Sequence, residues 1–175
     1  VNILYYMKQF LATAILLISA FFVRAQSGPQ FPELVAKEDY AKAEPMFLQA
    51  VEWLNETDLD QQLELRQRTN AFVFSWLNGS PTVKMVIGEG IMKLVKDNPS
   101  LAFIYFGNYC KFCINNPENK YAWDAASAGL RAVAKVYKKG VGVKKTKMLT
   151  KLAEAVDSGK LEEWMEENLK KDSLR

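Results

Sequence analysis

The chain lacks histidine altogether, holds only two cysteines, Cys110 and Cys113, and after residue 25 has no long uncharged apolar run. Each absence closes a class of chemistry. Without an imidazole there is no Ser-His or Cys-His nucleophile pair. C-type haem attachment is closed as well, because Ile114 stands where the histidine after the second cysteine is required. Two thiolates alone are too few for a structural zinc, and mixed Cys/His zinc sites cannot be built. Gly88-Glu89-Gly90 begins like a dinucleotide loop, but Lys93 occupies the third glycine position and no βαβ pattern surrounds it. No metal and no cofactor are therefore expected.

The one long apolar run is FLATAILLISAFFV, 14 residues from Phe10 to Val23, preceded by Lys8. It is shorter than the roughly 20 residues that span a bilayer. It has the form of a secretory signal over residues 1–25, with Val23-Arg24-Ala25 as the cleavage site and Ala20 as the fallback. The expected natural start is Met7, and the alternative is an uncleaved membrane anchor. Cleavage would remove Lys8 and Arg24 from the 23 basic residues and no acidic one. The remaining 150 residues then carry 21 basic and 20 acidic side chains, a net charge of +1. Such a balance argues against nucleic-acid binding, and export argues against it again. A chain of 150 residues suffices for one domain burying about 68–70% of its unfolded surface.

Beyond a linker expected over 26–40, apolar spacing is helical almost throughout a single domain at 41–171. Met46, Phe47, Ala50, Val51 and Leu54 form one stripe, with Pro45 expected in the first turn. A second helix is expected from about Asp60 to Leu77, stopped by Asn78-Gly79. TVKMVI, residues 82–87, is the one β-like stretch; having no partner strand, it reads as an extended connector or a minor hairpin. Ile91–Lys96 forms a short helix, and Asn98 and Pro99 cap and open the next. That next helix, Ser100 to about Asn115, is apolar on nearly every side and belongs at the centre of the fold. Helices from about Asn119 to Lys138, around Met148–Val156 and around Leu161–Leu169 complete the chain. The fold class predicted is all-α, an irregular antiparallel bundle of about six helices, with a two-layer helical-repeat-like array as the alternative.

Cys110 and Cys113 form a C-x-x-C. A thioredoxin-like pair sits at a helix start after a strand, where the dipole stabilises a thiolate; this pair lies about ten residues into an apolar helix. The favoured reading is packing. Gly107, Cys110 and Cys113 or Ile114 share a face, and the small residues Ala125, Ala128, Gly129 and Ala132 of the next helix are the expected partner. A local structural disulfide, suited to an oxidising compartment, and a functional thiol pair remain as alternatives.

Among 20 acidic residues, Glu89 and Asp124 are the first candidates for a hydrolase carboxylate pair. Charge is polarised. From Arg131 to Lys151 there are eight basic residues and no acidic one, whereas from Glu33 to Glu64 acids outnumber bases nine to two. Arg131, Lys135, Lys138, Lys139, Lys144, Lys145 and Lys147 are candidates for contact with an anionic partner; the bland alternative is a solvated face balanced within the molecule. Trp53, Trp76, Trp123 and Trp164 fall near apolar stripes and read as core, with one or two rimming a groove. Asn55-Glu56-Thr57 and Asn78-Gly79-Ser80 match the N-glycosylation pattern.

The reading that combines these features is an exported, periplasmic or secreted, non-catalytic binding domain. Its expected partner is an envelope or extracellular protein or an anionic surface. The alternative is a small exported enzyme, either a thiol oxidoreductase acting through Cys110 and Cys113 or a carboxylate hydrolase.

Overall fold

Apolar side chains recurring every three to four residues wind the described chain into seven helices and no strand. The computed structural model describes residues 29–85, 87–119 and 122–169. The chain divides into two units, Val1–Phe31 and Pro32–Arg175, and the seven helices of the described residues belong to the second. The expected signal at 1–25 lies outside the described residues, as do Val86 and Tyr121. Among the described residues no helix is long and apolar enough to cross a membrane.

The helices are α1 (Lys37–Glu56), α2 (Leu63–Gly79), α3 (Glu89–Val95), α4 (Ser100–Asn115), α5 (Ala122–Lys139), α6 (Lys147–Asp157) and α7 (Leu161–Asn168). The protein is an all-α bundle of helices packed on one another, with α4 at the centre. Leu101, Ile104, Tyr105, Phe106, Tyr109 and Cys110 of α4 are buried. This helix packs on α5, α1, α2 and α3, so it has no solvent stripe to keep polar.

Two expectations are corrected. Helix α1 begins at Lys37, so Pro45 lies in its interior rather than in its first turn. Asp39 stabilises that earlier start, its carboxylate accepting from the Ala36 N–H at 2.8 Å and the Val35 N–H at 3.2 Å. An interior proline removes one helical hydrogen bond; Pro45 and Ala41, whose carbonyl loses its donor, are both exposed residues. Asn98 does not cap α4 with its side chain. Its amide instead donates to the Lys144 carbonyl at 2.9 Å and accepts from the Lys144 N–H at 2.7 Å, pinning the α5–α6 loop.

Close approach of helices is set by small residues, and for Gly107 the partner is not the one expected. A Cβ on Gly107 would lie 2.8 Å from Val51 Cγ2, so the missing side chain admits α1 rather than α5. Gly129 of α5 admits the Tyr105 ring of α4, whose Cδ2 would lie 2.7 Å from an added Cβ. Phe47 and Trp76 stack with centroids 4.1 Å apart and join α1 to α2.

Candidate functional site

Helix α4 ends where Asn115-Asn116-Pro117 forbids its continuation, and the Asn116 amide closes the last turn on the Phe112 carbonyl at 2.8 Å. Helix α2 ends at Gly79, where any side chain would collide with the Tyr40 ring. Ser80 then turns the chain, its hydroxyl accepting from the Thr82 N–H at 3.3 Å and lying 2.9 Å from the Thr82 hydroxyl. Val83 is buried and anchors the connector to the core.

These chain ends leave a groove of about 860 Å³. Glu44 of α1 lines it, as do Pro81, Thr82, Val83 and Lys84 of the α2–α3 connector. Tyr109, Cys113 and Ile114 of α4 form a wall; Pro117 and Asn119 of the following turn and Ala122 of α5 complete it. A volume of this order is typical of ligand sites, which span about 300–1,000 Å³.

The two cysteines differ sharply in their surroundings. Cys110 is fully buried, whereas Cys113 is half-buried and opens on the groove; both thiols are free. Burial pushes the Cys110 thiol well above the usual range, and neighbouring Cys113 adds to the shift. Burial also raises the Cys113 thiol. Both sit in the last two turns of α4, where the helix dipole disfavours an anion. Tyr109 is pushed up to about 12 by burial, and Tyr105 higher still for the same reason. This face of α4 therefore holds its thiols and phenols in the neutral form. A neutral thiol is a weak nucleophile; it is a small apolar group with a weak donor.

The carboxylates singled out in the sequence are not brought together in the groove. Glu89 is exposed and pairs with Lys93 at 2.8 Å, a partner one helical turn away. Asp124 accepts from the Asn119 amide at 2.8 Å at the start of α5. Among the described residues no group of three or more Cys, Asp or Glu could hold a metal ion.

Much of the basic block is engaged within the molecule. Lys135 pairs with Glu56 at 3.1 Å, Lys138 with Asp157 at 2.5 Å and Lys144 with Asp97 at 2.9 Å. Lys139 donates to the Asn55 and Glu56 carbonyls at 2.9 Å each, capping the carboxyl end of α1. Lys135 in turn holds the Glu56 carboxyl below its usual range, and Lys144 does the same for Asp97. Arg131, Lys145 and Lys147 are exposed. Arg66 also binds just past this helix end, Nη2 donating to the Thr57 and Asp58 carbonyls at 2.6 and 3.0 Å while its guanidinium lies 5.4 Å from the centre of the Trp53 ring.

Trp76 and Trp164 are core. Trp53 and Trp123 are half-buried, and the Trp123 indole donates to Glu162 at 2.6 Å; neither lines the groove. Of the two glycosylation patterns, Asn55 is only 7% exposed, whereas Asn78 is exposed. Sequence reasoning did not assemble Glu44, Thr82, Lys84, Tyr109 and Asn119 into one site. The signal available was TVKMVI, a β-like stretch with no partner.

Comparison with protein families, with curated proteins and with solved structures finds no match to this chain, so the site is read from its own residues.

Proposed function

We propose that this protein is an exported, non-catalytic binding domain of the cell envelope or extracellular space, and that it holds its partner in the groove beside α4. The observation that carries the reading is the groove itself: about 860 Å³, lined by two charged residues, Glu44 and Lys84, together with polar and apolar ones. Mixed lining of this kind orients a ligand by its polar groups while burying its apolar ones. The raised thiols weigh against an oxidoreductase. The separate engagements of Glu89 and Asp124 weigh against a hydrolase built on that pair.

The test is site-specific photocrosslinking from position 84 in an envelope extract, with and without Thr82→Trp. Thr82 is exposed and lines the groove, so an indole there fills the groove without entering the core. The reading requires a crosslinked partner that Thr82→Trp removes. A partner retained by Thr82→Trp but lost on reversing Arg131, Lys145 and Lys147 together would transfer the contact to the basic face.

A further inference from the structure

The connector from Thr82 to Met85 borders the groove and has an unusual main chain. No helix or strand includes these residues, and flanking Ser80 and Gly88 both have extended backbone angles. The Thr82 N–H is taken by the Ser80 hydroxyl. Among the described residues, Val83, Lys84 and Met85 make no main-chain hydrogen bond. Among the described residues the N–H and C=O groups of Val83, Lys84 and Met85 thus have no protein partner; Val83 is buried, Lys84 is exposed, and both line the cavity. Native backbone groups are nearly always paired with protein or water, and main chain outside any helix whose groups are unpaired is a template for another chain. The side chains agree: TVKMVI is rich in β-branched residues, which favour a pleated, half-buried setting.

Two unpaired charges mark the groove. Lys84 is exposed and Glu44 half-buried, and among the described residues neither is in an ion pair. Opposite charges lining one groove fix the direction of a chain laid between them.

We propose that the groove takes an extended peptide segment of another protein, which adds as a strand alongside Thr82–Met85. This inference rests on the binding reading above and names the class of ligand. The bound segment exchanges main-chain hydrogen bonds with alternate residues of the connector. It places an acidic side chain at Lys84, a basic one toward Glu44, and apolar side chains against Ile114 and Cys113. Four connector residues span about 13 Å at strand rise, so the core of the recognised segment is four to five residues long.

The experiment pans a phage-displayed library of random linear heptapeptides on the purified chain, counter-selected on the Thr82→Trp protein. Enriched peptides are then resynthesised with single backbone N-methyl groups. Strand addition predicts that methylation at alternate peptide positions weakens binding about five- to tenfold each, while the positions between change little. Lys84→Glu, at an exposed position that cannot disturb the core, is expected to exchange the preference for an acidic residue for a basic one. Binding that Thr82→Trp abolishes but that no N-methyl group affects overturns strand addition and leaves the binding module standing. Failure to enrich any peptide sensitive to Thr82→Trp overturns strand addition, and the absence of a crosslinked partner as well would remove both readings. Self-association of the chain through residues 82–85 would likewise overturn the proposal, since the occupant would then be a second copy.

Discussion

Asn55 of α1 and Asn108 of α4 exchange amide hydrogen bonds across 53 residues of sequence, at 3.1 and 2.8 Å. Asn108 also donates to the Ile104 carbonyl of its own helix at 2.8 Å. A reciprocal amide pair between the two helices fixes their register, because sliding breaks both bonds and leaves the buried Asn55 amide unpaired.

Replacing one member should therefore cost more than replacing both. Asn108→Leu strands the buried Asn55 amide and is expected to lower stability by about 1–3 kcal/mol in urea denaturation. The double variant Asn55→Leu/Asn108→Leu should recover part of that loss, and a double-mutant cycle measures the coupling.

Gly129 and Tyr105 make a second test of packing. Gly129→Ala puts a methyl 2.7 Å from Tyr105 Cδ2 and 3.0 Å from the Tyr105 carbonyl, so the α4–α5 contact must open. The expected cost is about 1–3 kcal/mol, read as a lower denaturation midpoint. Gly140→Ala, which meets no neighbour but has a φ of 75°, should cost only the backbone strain of a left-handed residue, about 1–2 kcal/mol.

Alkaline pH should destabilise the fold. Cys110, Cys113, Tyr105 and Tyr109 all have raised values, so the folded chain keeps protons that the unfolded chain releases. Below ordinary thiol values, near 8.5, both states are protonated and stability is complete. As pH climbs past that value and then past about 10, the unfolded chain ionises first and stability falls. Tyr105→Phe should delay the fall. It should also be neutral or stabilising at pH 7, because the Tyr105 hydroxyl is buried with no hydrogen-bond partner among the described residues. Unfolding midpoints between pH 7 and 11 check both statements.

Among the basic residues, position rather than charge decides the outcome. Lys139→Met removes a cap on α1 and should cost about 0.5–1 kcal/mol. Lys145→Ala and Lys147→Ala, at exposed positions, should stay within about 0.5 kcal/mol of the parent. Thermal melts of the three variants at low salt separate the classes.

These distinctions show where sequence is informative. The limits of α4 coincide with expectation, Ser100 to Asn115, because Asn98-Pro99 and Asn116-Pro117 punctuate the chain by steric rules that act locally. Burial of α4 was legible too, since a helix without a polar face has nowhere else to go. The start of α1 was not legible: Pro45 suggests an opening turn, whereas the helix runs back to Lys37, where the Asp39 carboxylate caps it. Asn98 suggested a cap, but its partner is Lys144, 46 residues away. Gly107 announced a close contact without naming Val51 as the neighbour. The groove gathers residues near 44, 82–84, 109–114 and 117–122, four separate segments that share no motif, so periodicity could not assemble it.

The central claim is that α4 is the buried spine of the fold and that its thiols serve as packing and groove wall, leaving binding to the groove. Thiol titration of the purified protein, native and unfolded, with and without prior reduction, tests it most directly. The account predicts slow labelling of Cys113 in the native state and labelling of Cys110 only on unfolding. Rapid native labelling of both thiols, or a disulfide that reductant readily opens, would contradict it and return the C-x-x-C to redox chemistry.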